Sequence, residues 1–461
     1  MIKNPPTRKD PRLRDYQKRG VDFVRRSRTG SILFWDMRTG KTRTALIAPK
    51  QFRRMVIVAP KVTEGVWSDE CAEVYDGQRP VVVNGRSRYD LPNDAPILWM
   101  NYEIVEAHWS WFLENKIDLL ILDEAQYIKN KRAKRTQAVH ALCGCSQKVI
   151  ALTGTPIYNR PADLWGILWA VQPGQWPHFY DFSRRYCDGK PTGFGGFDST
   201  GFSRHRKREL QGKLEGVVDR VRWKDIVDVV PELDRIRVPV VIGKREQARC
   251  RKLARDLRTA LDGYEGSASP NIAAKLRRAT MLRTTIGRGK VRPTVDFLQT
   301  IPDNEKVVVW THHHEVADAI ADKLLGAGHQ VARVHGRMTS KKRRKQMSYF
   351  NGDARFMIVS LEAGGVGIDL SAARIAVFAE LSWTPSVLAQ AERRVYKGTE
   401  NRACAMYYLI AKGTIEDRIM DLLEEKVRLV YDAMDDDDLL SMIDDITPPQ
   451  DDMIESLLAL V

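Results

Sequence analysis

Short, uninterrupted apolar runs alternate with stretches of helical periodicity along most of the chain. The runs are SILFW (Ser31–Trp35), MVIVAP (Met55–Pro60), PILWMN (Pro96–Asn101), DLLILDE (Asp118–Glu124) and KVIALTG (Lys148–Gly154), then KVVVWTH (Lys306–His312), RFMIVS (Arg355–Ser360) and IAVFAE (Ile375–Glu380). A strand with one solvated face alternates apolar and polar residues. These runs do not alternate, which predicts parallel strands covered by helices on both faces. They fall into two series, before about residue 160 and after about residue 300. The pattern predicts an α/β protein of two lobes, each a mostly parallel sheet with helices on both faces. Between the series lies a helical, basic stretch with a Gly-rich loop at Gly189–Phe202, and Pro231 with RIRVPVVIG (Arg235–Gly243) marks the passage to the second lobe. The expected organisation is lobe 1 over residues 1–230, with a helical extension after about 160; lobe 2 over 231–434, opening with linking helices; and an acidic tail over 435–461.

Length agrees, since 461 residues exceed what one hydrophobic core usually holds. Charge adds a partner. The 74 Lys and Arg outnumber 59 Asp and Glu, for a formal net charge of +15, and acid concentrates between Asp435 and Asp452, so the rest is more basic still. A basic excess suits a polyanion, whose phosphates release counterions on contact; a merely solvated basic surface is the plainer alternative. No apolar run approaches the roughly 20 residues of a membrane helix. The charged, Pro-rich MIKNPPTRKDPRLRDY is not expected to act as a secretory signal. The six cysteines form no CxxC pair and no zinc pattern, so free thiols in a reducing cytoplasm are expected.

Candidate chemistry begins at DMRTGKT (Asp36–Thr42), which follows a predicted strand and opens a predicted helix. That is the setting of a phosphate-binding loop, whose backbone N–H groups at a helix start cradle phosphate oxygens. In it Arg38, Thr39 and Gly40 form the loop, Lys41 can reach β- and γ-phosphates, and the Thr42 hydroxyl can hold Mg²⁺. The pattern GxxxxGK(T/S) is imperfect, because Trp35 stands where its first Gly belongs. Downstream, Asp123 and Glu124 end a buried apolar strand, a costly place for two acids unless they meet a metal or a partner. A nucleotide site would use both. Asp123 binds Mg²⁺ through its water shell, and Glu124 orients and deprotonates the attacking water. The separation of 82 positions from Lys41 to Asp123 leaves room for two intervening strands.

These residues, with further blocks in the same order, resemble superfamily 2 helicases, and within them the SWI/SNF-like DNA translocases. LRDYQKRGV (Leu13–Val21), VIVAPKVTEGVWSDE (Val56–Glu70), WMNYE (Trp99–Glu103), LDEAQYIKN (Leu122–Asn130), LTGTPIYNRPADLWGILWAVQPG (Leu152–Gly174) and VRWKDIVDVVPEL (Val221–Leu233) match blocks of the first lobe. KVVVWTHHHEVADAI (Lys306–Ile320), most like the annealing-helicase branch, begins the match in the second. VHGRMTSKKRRKQMSYF (Val334–Phe350), MIVSLEAGGVGIDLSAA (Met357–Ala373), LSWTPSVLAQAERRVYKG (Leu381–Gly398) and YYLIAKGTIEDRIM (Tyr407–Met420) continue it.

The resemblance implies two RecA-like lobes with ATP and Mg²⁺ between them, and double-stranded DNA as partner, branched or single-stranded DNA remaining open. It implies adenine reading by Gln17 and lobe coupling by Thr153 and Thr155. It implies nucleotide contacts from Gly367, Asp369 and Gln390, and DNA contacts from Lys61, Thr63, Tyr102, Ser360, Gly364 and Gly365. The charge-stabilising arginine of lobe 2 falls on Arg394 or, less well, on Lys397, which stands where the family has Arg; Arg393 is a third candidate. Gln126 replaces the family's His, and Arg38 a common Gly. A bare motor of this type is expected to be a monomer from a bacterial or phage-infected cytoplasm. Two rivals share parts of the pattern: a strand-separating superfamily 2 DNA or RNA helicase, and a non-enzymatic DNA-binding protein with a decayed motor.

Overall fold

A computed structural model describes residues 12–87, 91–154, 161–191, 197–198, 203, 205–226, 233–262, 272–336, 338–361, 368–382, 385–396, 403–417 and 419–421. The described residues divide into two compact units, one running to residue 226 and the other from residue 233.

The first unit is built on a seven-stranded sheet. Its strands are β1 (Gly30–Trp35), β2 (Met55–Val58), β3 (Val81–Val83), β4 (Ile97–Met100), β5 (Ile117–Asp123), β6 (Ser146–Thr153) and, after a helical extension carrying the small antiparallel ribbon β7 (Lys190–Pro191) and β8 (Phe197–Asp198), β9 (Val218–Val221). The order is β3-β4-β2-β5-β6-β1-β9, and every pairing is parallel. The continuous apolar runs are explained by where alternate residues go. Ile32, Phe34, Val56, Val58, Leu120 and Leu122 enter one core. Leu33, Trp35, Met55, Ile57, Leu119 and Ile121 enter a second core on the opposite face. Three strands lie between Lys41 and Asp123 rather than two; the short VVV of β3 is too brief to stand out in the sequence.

The second unit opens with β10 (Leu233–Val240) and the helices Lys244–Asp262 and Ile272–Thr300. Its sheet adds β11 (Val307–Thr311), β12 (Val331–Val334), β13 (Phe356–Ser360), β14 (Ile375–Phe378) and β15 (Cys404–Ala411). The order is β10-β15-β14-β11-β13-β12, again wholly parallel. The run read as a passage between lobes is therefore itself an edge strand of this sheet, held along its length by β15. Each unit is built on the parallel α/β layer expected. The helix Ile272–Thr300 is fastened to the sheet by a buried ion pair: Lys290 Nζ donates to both oxygens of Glu416 at 2.8 Å and to the Leu409 carbonyl at 2.9 Å.

Candidate nucleotide site

Parallel strands deliver their C-terminal ends to one edge of a sheet, and ligands of open α/β sheets bind there. In the first unit the neighbours β5, β6 and β1 bring Asp123, Thr153 and the loop after Trp35 to that edge, in register Asp123 to Leu152 and Phe34 to Thr153.

The loop after β1 turns through two left-handed residues, Arg38 (φ +64°) and Gly40 (φ +83°), before the helix Lys41–Ile47. Its shape is held from outside. The Thr39 carbonyl accepts Tyr16 Oη (3.0 Å) and Gln17 Nε2 (3.2 Å), and the Thr39 hydroxyl donates to the Asp36 carbonyl (2.8 Å). Buried Asp36 accepts the Trp223 amide (2.9 Å), and Trp223 Nε1 donates to the Met37 carbonyl (3.0 Å). Lys41 Nζ folds back onto the carbonyls of Trp35 (2.7 Å) and Asp36 (2.9 Å). Thr42 is half-buried at the second position of the helix. Trp35, the departure from the usual loop pattern, is fully buried. It packs edge-on to Tyr16, lies where any Cβ on Gly20 would collide with it, and donates Nε1 to Asp219 at 2.7 Å.

Gly40 is needed twice, for its backbone and for space: a Cβ there would stand 2.2 Å from Gln17 Nε2. Gly40→Ala is expected to destabilise the first unit by about 1–2 kcal/mol, the cost of a left-handed non-glycine residue, read as an earlier urea midpoint.

Asp123 accepts Trp67 Nε1 (2.8 Å) and the Glu124 amide (3.0 Å). Burial, reinforced by the neighbouring Glu124 charge, pushes its carboxyl above the usual carboxylate range, while Lys41 opposes the shift. A carboxylate so placed gains from a cation. The oxygen donors Asp123 and Thr42 suit Mg²⁺, which takes few protein ligands and completes its shell with water and phosphate. Glu124 sits in left-handed backbone (φ +50°), and its side chain accepts Gln126 Nε2 at 2.7 Å. Buried Gln126 in turn accepts the Thr153 hydroxyl at 2.9 Å. The residue that replaces the family's His is thus the bridge between the acid pair and β6.

Three residues expected to contact ligands are engaged within the protein. Tyr102, expected on DNA, is buried: its hydroxyl donates to the Asp123 carbonyl (2.7 Å) and its ring stacks on Tyr127. It braces the acid pair. Thr63 is also buried, its hydroxyl spent on the Pro60 carbonyl. The Gln17 amide, expected on adenine, holds the loop and accepts the Arg14 amide (3.0 Å). Lys61 is exposed just beyond β2. Sequence reasoning missed Trp67, Asp219 and Trp223 as supports; paired indoles and acids at such separations carry no local signal.

In the second unit Ser360 is buried at the end of β13. Asp369 is exposed and caps Ser371 through its amide and hydroxyl. Gln390, Arg393 and Arg394 are buried on the helix Pro385–Val395. Their neighbour Glu392 is fully buried, held by both nitrogens of an Arg235 fork and by the Tyr408 hydroxyl. The Arg394 carbonyl accepts the Leu370 amide, tying this helix to the Asp369 segment. Among the histidines after β11, His313 pairs with Glu380 (2.6 Å) and meets Thr284 at its other nitrogen (3.1 Å). Thr155, Gly364, Gly365, Gly367, Lys397 and the acidic tail lie outside the described residues.

The family model for an SNF2-related domain matches residues 16–242, and that for a helicase conserved C-terminal domain matches residues 289–398. The chain carries an SNF2-related domain followed by a helicase conserved C-terminal domain. The SNF2-related match spans the whole first sheet and ends just beyond β10; the C-terminal match runs from the helix Ile272–Thr300 past Arg394. Among SNF2-related relatives, the chain is 28% identical over 437 residues to the SWI/SNF-related matrix-associated actin-dependent regulator of chromatin subfamily A-like protein 1 of Xenopus tropicalis, covering 91% of this chain and 45% of the relative. It is 24% identical to the human DNA annealing helicase and endonuclease ZRANB3, over 92% of this chain and 40% of that protein. The chain thus spans about half the length of the curated relatives it matches. A solved structure, the Sulfolobus solfataricus SWI2/SNF2 ATPase core in complex with dsDNA, aligns with 98% of this chain and 100% of its own, at 22% identity and a TM-score of 0.45.

Proposed function

We propose that the chain is an ATP-dependent motor of the SNF2 type that translocates on double-stranded DNA. The observation that supports this most is the meeting of Lys41, Asp123, Glu124, Gln126 and Thr153 at one sheet edge, joined by hydrogen bonds and by the Lys41–Asp123 attraction. In this reading the helix that begins at Lys41 offers its first N–H groups to the phosphates, and Lys41 leaves the loop carbonyls for the β- and γ-oxygens. Thr42 and Asp123 would hold Mg²⁺, which would supply positive charge to the phosphates. Glu124 takes the proton of the attacking water, and Gln126 carries the state of Glu124 to Thr153 and β6. Phosphoryl transfer needs little covalent help, so positioning and charge make up most of the catalysis. The family pattern also calls for a charge-stabilising arginine, for which Arg394 and its neighbour Arg393 are the described candidates.

The test is phosphate release titrated with duplex DNA, single-stranded DNA and RNA. Duplex DNA is expected to stimulate most. Lys41→Ala is expected to lower the stimulated rate by at least about 100-fold, the usual scale for losing a charge-stabilising group. Equal stimulation by all three polymers would replace the duplex motor with a general helicase. An unchanged rate in Lys41→Ala would remove the nucleotide site altogether.

A further inference from the structure

The helical extension of the first unit holds a cavity of about 690 Å³ between the helices Phe179–Tyr186 and Lys207–Leu214. Four cations line it, Arg184, Arg185, Arg206 and Lys213, against two carboxylates, Asp181 and Glu209. The charge is organised. Glu209 accepts a forked pair of bonds from Arg185 (2.9 Å), a bond from Arg206 (3.2 Å) and the Tyr186 hydroxyl (2.7 Å). One carboxylate therefore fixes two guanidiniums and leaves them with surplus positive charge. Arg184 and Lys213 have no carboxylate partner among the described residues; Lys213 lies 5.7 Å from the Trp176 ring.

The positive surface continues past the cavity. Tyr180, one helical turn before Arg184 and so on the same face, carries Lys131 Nζ 3.2 Å from its ring centre. Lys131 belongs to the basic run Lys129–Arg135. That run is thereby brought to the helix that lines the cavity. A line of cations longer than one small anion suits a polymer of phosphates, read by charge and not by sequence.

We propose that this cavity is a second DNA-backbone site, distinct from the strand-end positions of the motor, in which Arg184 and Lys213 contact phosphates while Glu209 holds Arg185 and Arg206 in place. It extends the proposed function by adding a contact to the same polymer, but it concerns DNA binding alone. If the wild-type chain hydrolyses no ATP, the motor reading falls and the following experiment still decides this one.

Fluorescence anisotropy of labelled duplex DNA is measured against the full chain across a potassium chloride series, for the wild type and for Arg184→Ala/Lys213→Ala. The variant is expected to bind about tenfold more weakly, with a slope of log affinity on log salt reduced by about 1.8, two contacts at about 0.9 each. The charge-conserving pair Arg184→Lys/Lys213→Arg is expected to keep near wild-type affinity, which separates the loss of charge from a loss of folding. Inorganic phosphate, added at matched ionic strength, is expected to compete poorly with the duplex. The proposal is overturned if the alanine pair keeps the wild-type affinity and slope, or if inorganic phosphate displaces the duplex at equal phosphate concentration.

Discussion

Glu124→Gln is expected to slow ATP hydrolysis by about 10²–10⁴-fold, the usual contribution of a general base, while nucleotide affinity stays close to that of the wild type. Glutamine keeps the size and one acceptor oxygen, so the bond from Gln126 Nε2, 2.7 Å in the native protein, can persist. What it cannot do is take a proton. The two losses separate in single-turnover phosphate release: binding remains and the chemical step collapses. Gln126→Ala breaks the chain from Glu124 to Thr153 instead, leaving the carboxylate able to accept a proton but without its link to β6. It should hydrolyse faster than Glu124→Gln yet respond less to DNA. Wild-type turnover in Glu124→Gln would remove Glu124 from the chemistry and leave it as a strand-end acid.

Lys290→Met carries the largest expected effect on stability, a loss of about 3–5 kcal/mol, because it leaves the buried Glu416 carboxylate without its counter-charge. Among the described residues Glu416 would retain only the Ala411 amide (2.9 Å), with no cation bonded to its carboxylate. Urea unfolding should show the deficit as an earlier transition. Lys290→Met/Glu416→Gln should recover much of it, since two neutral groups of similar shape need no counter-ion. A single variant as stable as the wild type would show that water reaches the pair and that the helix Ile272–Thr300 is held by its apolar face alone.

The eight apolar runs can be read as strands because burial on both faces leaves no polar position to interrupt them. β1 and β5 show this residue by residue, with successive side chains entering opposite cores. The strands that are not evident have other compositions. β9 reads VDRV, with Asp219 committed to Trp35, and β3 has only three residues. β10 carries Asp234, Arg235 and Arg237 at a sheet edge, so it resembles a charged linker. At the site, the acid pair and the phosphate loop follow from local order, because a strand, a turn and a helix start are contiguous in sequence. The supports do not. Nothing near Tyr102 signals that its hydroxyl holds the Asp123 carbonyl, and family position alone points it toward DNA. Trp35 reads as a defect in the loop pattern for the same reason: its partners Gly20 and Asp219 lie far away in sequence.

The placement of β9 has a mechanical consequence. The helical extension leaves the sheet after β6 and returns as β9, and these two strands flank β1 on either side. On its return it grips the phosphate loop three times, through Asp219 on Trp35, and through the Trp223 amide and indole on Asp36 and Met37. The extension is therefore a clasp whose two arms close on the strand that carries the loop. Only Glu215, Gly216 and Val217 separate the helix that carries Lys213 from β9, so that helix lies three residues of chain from the strand that grips the loop.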